Sequence, residues 1–83
     1  MQDETMLFTA QQDQDRVIRE KLTMVYDALN EKGYDAVNQI VGYLHTEDPT
    51  YITSHKNARA TMASMDSDDV LELLVRNFLE DRR

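Results

Sequence analysis
The chain is predicted to be all-α: a compact bundle of about four helices, one of them no more than a short turn, behind a disordered N-terminal tail and paired as a homodimer. Three observations predict it. Apolar residues recur at helical spacings of three and four from about residue 13 onward, and no strand pattern of alternating apolar and polar residues competes with them. Residues suited to helix starts and stops separate the periodic stretches. With 83 residues and no Cys, only one core can form, and disulfides or thiolate metal sites cannot reinforce it. A chain of this size buries roughly 60 to 65% of its unfolded surface, so a helical protein this small gains from a partner copy.

Residues 1–12 are read as a flexible tail and residues 13–83 as a single helical dimerisation domain. The tail holds only the short Met6-Leu7-Phe8 cluster and no sustained period. In the first helix Ile18, Leu22, Val25 and Leu29 draw one stripe, which Val17 and Met24 widen. Glu31-Lys32-Gly33-Tyr34 stops it, because Gly33 can take the left-handed conformation while Tyr34 folds back on the last turn. Asp35 suits the cap of a second helix with the stripe Val37, Ile40, Val41 and Leu44. Inside it Gly42 costs about 1 kcal/mol relative to Ala, which signals either close approach by another element or a tolerated surface glycine. Thr46-Glu47-Asp48-Pro49 breaks the pattern, and Asp48 with Pro49 opens a short helical turn through Ile52. Ser54 is expected to cap a third helix from His55 to about Met65, with a thin apolar face of Ala58, Met62 and Met65. Acids at Asp66, Asp68 and Asp69 open the last helix and Arg82-Arg83 close it, as the helix dipole favours. Between them Val70, Leu71, Leu73, Leu74, Val75, Phe78 and Leu79 cover more than one face, so this helix is expected to be buried on two sides, one of them by a second chain.

Charge narrows the functional classes. The formal net charge of -7 disfavours phosphate backbones, and the basic footprint of a nucleic-acid binder is missing. No apolar run approaches the roughly 18 residues of a membrane span, and no secretory leader pattern opens the chain, so a cytoplasmic protein without membrane insertion is expected. His45 and His55 lack the spacing of a metal-binding helix face and are read as surface or cap residues, and the acids at 66, 68 and 69 lack the pattern of a calcium loop. Phosphate-binding loops and nucleophile elbows are absent from the sequence. No enzyme, cofactor or metal site is expected.

A more specific expectation comes from a resemblance. Glu31-Lys32-Gly33-Tyr34, Asn38-Gln39-Ile40-Val41-Gly42-Tyr43-Leu44, Asp48-Pro49, Tyr51-Ile52, His55-Lys56, Ala58-Arg59 and Glu72 to Arg76 resemble the IreB family of Gram-positive bacteria, with the match running from Asp3-Glu4-Thr5 to Leu79. The resemblance implies a cytoplasmic homodimer that is the substrate of a transmembrane Ser/Thr kinase with PASTA domains, and of its phosphatase. It further implies a negative regulator of cell-wall stress responses and cephalosporin resistance, acting on a downstream protein the sequence does not name. The family's phosphoacceptor in the Asp-Glu-Thr motif carries over onto Thr5. The second family acceptor has no counterpart, since no Thr precedes Thr5, and Thr9 is a weaker substitute resting on exposure alone. Thr53 and Asn77 depart from the family, which usually has Pro and an aromatic there.

Phosphate on Thr5 would add about -1.5 to -2 charges to an acidic tail. It could dock on Lys56 and Arg59 or be repelled by the acidic body, and repulsion is the expectation because the sequence shows so few clustered bases. A small helix-turn-helix regulator is the alternative function, with Lys56 and Arg59 as the only bases on its second helix.

Overall fold
The computed structural model describes residues 9–80, so Thr5 and the Met6-Leu7-Phe8 cluster lie outside the described residues. Helix α1 (Ala10–Glu31) is followed by α2 (Ala36–Thr46), two single 3-10 turns (Pro49–Tyr51 and His55–Asn57), α3 (Ala58–Ala63) and α4 (Ser67–Glu80). The all-helical prediction holds, and no described helix is long and apolar enough to cross a membrane.

Local chemistry sets most boundaries. Helix α1 begins at Ala10, ahead of the Asp13 where the apolar period takes over. Its first turn is held by a capping box: the Thr9 hydroxyl accepts from the Gln12 amide at 3.1 Å, and the Thr9 amide donates to Gln12 Oε1 at 2.9 Å. It ends as predicted, with Gly33 at φ +82°. The Tyr34 amide reaches back to the Leu29 carbonyl and the Gly33 amide to that of Asn30, each at 3.0 Å, which is the Schellman pattern. Asp35 caps α2 by accepting from the Asn38 amide at 3.2 Å, and Asp48 caps the Pro49 turn by accepting from the Thr50 amide at 3.0 Å. Asp66 accepts from the Asp68 amide at 2.8 Å at the start of α4.

The third helix departs from expectation. Ser54 makes no capping bond; its backbone is already helical, so its side chain is not presented to the next turn. The Thr53 hydroxyl instead accepts from the His55 amide at 3.2 Å. Lys56 and Asn57 both take left-handed φ (52° and 63°), which breaks the turn His55–Asn57 from α3 and delays the helix to Ala58. Asn tolerates that conformation; Lys does so at a cost of roughly 1–2 kcal/mol. Its ammonium is tied 3.1 Å from the Glu31 carboxylate at the end of α1.

The main core joins the second half of α1 to α2, the Pro49 turn and α3 through Val25, Leu29, Ile40, Tyr43, Ile52 and Met62. A smaller cluster of Ile18, Val70 and Leu73 carries α4, and Leu22, Leu44 and Met65 pack against both. Three residues read as stripe members are not core: Met24, Val37 and Val41 are exposed. Helix α2 is turned so that Ala36, Ile40 and Tyr43 face the main core, which buries a larger apolar area than the two valines would. Gly42 has the close neighbour it suggested: a Cβ there would lie 2.6 Å from Tyr51 Cδ1 and 2.8 Å from Cζ.

Candidate interaction surface
Helix α4 packs on the first half of α1: Arg76 meets Asp15, Asn77 meets Arg19, and Val70 and Leu73 are buried with Ile18. The small cluster beneath α4 buries only Val70 and Leu73, so Leu71, Leu74, Val75, Phe78 and Leu79 stay exposed, Phe78 at 80%. This is the apolar excess noted in the sequence, and within one copy it has no cover among the described residues.

Beside it, α1, α2 and α4 enclose an open groove of about 520 Å³. Its walls are apolar, formed by Leu22 and Tyr26 of α1, Val37 and Val41 of α2, and Leu74 of α4. The valines missing from the core thus line this groove. Arg19 and Asn77, bonded to each other, stand at the end nearest the start of α1. Sequence reasoning missed both residues, for they lie 58 positions apart; the only signal available was the surplus of apolar residues on α4.

The charged side chains near that end form two links. Arg76 Nη1 lies 2.7 Å from Asp15 Oδ2, a pair about three quarters shielded from solvent, and its other nitrogen is 3.9 Å from Glu72. The Gln11 amide beside Asp15, joined by Arg76, holds the Asp15 carboxyl below its ordinary value. Arg16 pairs with Asp13 and Glu20. Arg19 has no carboxylate partner among the described residues.

At the opposite end of α1, Glu31 gathers His55 Nε2 at 2.8 Å and Lys56 Nζ at 3.1 Å, and its carboxyl is lowered chiefly by the hydrogen bond to His55. His55 is therefore half-buried and hydrogen-bonded to Glu31 rather than a plain surface residue, while His45 is exposed. Arg59 donates to the carbonyls of Pro49 at 3.1 Å and Ile52 at 2.9 Å. Lys56 and Arg59, the only bases a helix-turn-helix reading could use, are thus committed to holding the turns together. No group of three or more His, Asp or Glu among the described residues is arranged to hold a metal ion.

Of the two candidate acceptors, Thr9 is the cap of α1, its hydroxyl engaged with Gln12; Thr5 precedes the described residues. Comparison with known proteins bears on the rest. A family model described as IreB regulatory phosphoprotein matches residues 3–80. A UPF0297 protein of Acetivibrio thermocellus is 46% identical over 78 residues, covering 94% of this chain and 87% of that protein.

Proposed function
The chain belongs to the IreB regulatory phosphoprotein family, and from that premise we propose that it is a non-enzymatic regulator switched by phosphorylation of Thr5. The observation that carries this reading is the extent of the family match, which begins at residue 3 and so includes Asp3-Glu4-Thr5. Thr5 is preferred over Thr9 because a kinase takes its acceptor in extended backbone, and the Thr9 hydroxyl and the residues after it are held in the first turn of α1. The kinase is a transmembrane Ser/Thr kinase with PASTA domains, opposed by its phosphatase, and the output is restraint of the cell-wall stress response and of cephalosporin resistance in the cytoplasm. The working form is a homodimer. The apolar face of α4 supports it, since Leu71, Val75, Phe78 and Leu79 recur at spacings of three, four and seven and form a continuous exposed stripe.

The decisive experiment incubates the protein with the cognate kinase domain and maps phosphate by mass spectrometry. Phosphate on Thr5, lost in Thr5→Ala and retained in Thr9→Ala, is expected; an unmodified residue 1–12 segment would overturn the reading. Light scattering is expected to return twice the mass of one chain, and half that mass for Phe78→Ser.

A further inference from the structure
Resting on the reading of the chain as a non-enzymatic regulator, we propose that the α1/α2/α4 groove seats an amphipathic helix of a different protein, whose apolar ridge fills the groove and whose acidic side chain pairs with Arg19. Three features support it.

The first is shape. The lining side chains recur at helical intervals, Arg19, Leu22 and Tyr26 on α1 and Val37, Val41 and Leu44 on α2. Each set spans seven residues, so the groove follows about 10 Å of both helices, or two turns. Leu74 and Asn77 of α4 supply the remaining wall. A trough of two turns, walled by helices and open on one side, accepts the ridge of a further helix. Apolar residues at i, i+3 or i+4, and i+7 of that helix enter the trough while its polar face stays in solvent. The exposure of Val37 and Val41 on a helix whose other face is buried has its use here.

The second is charge. Arg19 is the only charged residue on the lining. Among the described residues it bonds a neutral amide, that of Asn77, whereas Arg16 and Arg76 are paired with carboxylates and Arg59 with backbone carbonyls. A guanidinium at the end of an apolar trough takes an incoming carboxylate through two N–H donors, which fixes the direction and register of the occupant. The docked helix therefore carries Asp or Glu within one turn of the end of its apolar ridge.

Separation from the dimer face is the third. On a helix turning about 100° per residue, Val75 and Phe78 lie within about 40° of Leu71, while Leu74 and Asn77 lie about 60° and 120° round from it. Self-association through Leu71, Val75 and Phe78 leaves the groove lining on another side of α4. A dimer thus offers one groove per subunit to a second kind of protein.

The test places the photo-crosslinking amino acid benzoylphenylalanine at Val41 of the full-length chain in the cells that make it, and sequences the joined peptide. A segment of another protein with the apolar spacing and flanking acid described above is expected. A second copy of this chain, a segment without that pattern, or no joined peptide would each overturn the proposal. The captured segment, made as a synthetic peptide, is then titrated into full-length protein by NMR. Arg19→Glu is expected to weaken binding about tenfold, and exchanging the peptide's acid for Arg to restore it. Equal affinity for the parent chain and Arg19→Glu would refute the charge pairing, and octanoate shifting the same amides at the peptide's affinity or tighter would assign the groove to an amphiphile instead. Phe78→Ser is expected to leave peptide affinity unchanged; its loss would place the groove within the dimer face and overturn the proposal. Absence of phosphate on Thr5 is a separate result, which removes the phosphorylation reading and leaves the peptide measurements standing.

Discussion
Replacing Gly42 with Ala is a sharp probe of the packing, because two known effects act with opposite sign. In an unobstructed helix interior Gly→Ala stabilises by about 1 kcal/mol, since Ala loses less backbone freedom on folding. Here the new Cβ would sit 2.6 Å from Tyr51 Cδ1 and 2.8 Å from Cζ, well inside van der Waals contact. The ring packs against the main core, the Tyr51 carbonyl is held by Gln39 Nε2 at 2.9 Å and its neighbour Ile52 is fully buried, so a new rotamer or a shift of the turn gives up packing. Overpacking of this kind costs typically about 1–3 kcal/mol. The net expectation is a loss of about 1 kcal/mol, or about 4–8 °C in Tm for a domain of this size. Thermal unfolding at fixed protein concentration measures it, the concentration being held because association raises apparent stability. In a Tyr51→Ala background the obstruction is gone, and Gly42→Ala should then stabilise by about 1 kcal/mol, giving a coupling of about 2 kcal/mol between the two positions. If Gly42→Ala raises Tm in the otherwise unaltered chain, the close approach of Tyr51 is not what keeps glycine there.

Other outcomes follow from the same structure. Thr9→Ala removes one side of the capping box and is expected to cost about 1 kcal/mol, with amide exchange accelerated in the first turn of α1 and unchanged in α3. Gly33→Ala places a Cβ in open space but in the left-handed region, so a loss of roughly 1–2 kcal/mol from backbone strain alone is expected, and a neutral result would contradict the Schellman ending. Stability should fall on acidification. Asp15, Glu31 and Asp48 all titrate lower in the folded protein than in the unfolded chain, held down by Gln11, His55 and the Thr50 amide respectively. Their contribution is complete above the ordinary carboxylate range and is lost as pH drops from about 4.5 through the lowered folded values. Denaturant midpoints for Asp15→Asn and Glu31→Gln between pH 3 and 6 should therefore show a shallower acid loss than the parent chain; equal slopes would show that these carboxylates are not the groups responsible.

The helical class and most element ends were legible because they depend on neighbours in sequence. Gly33, Asp35, Asp48-Pro49 and Asp66 act on amides and carbonyls within a few residues, and each does what its local chemistry predicts. Two local signals were misread: the Thr9 capping box, which starts α1 at Ala10 rather than near Asp13, and Ser54, whose capping role fails where Glu31 holds His55 and Lys56 at the end of α1 beside the left-handed pair Lys56 and Asn57. Apolar spacing located the stripe of α1 well, with Ile18, Val25 and Leu29 buried, but misassigned α2. Periodicity shows that a helix has an apolar side. It does not give the rotation that settles whether Ile40 and Tyr43 or Val37 and Val41 meet the core.

By itself the sequence determined an all-helical chain with capped boundaries, an acidic N-terminal segment bearing Thr5, and a last helix with more apolar surface than one small core can cover. The tertiary structure decided where that surplus lies and which charges border it. Arg19 meets Asn77, Arg76 meets Asp15, and Glu31 meets His55 across 58, 61 and 24 residues. Such contacts come from the packing of α4 on the first half of α1 and of the His55 turn on the end of α1, which no short-range spacing encodes.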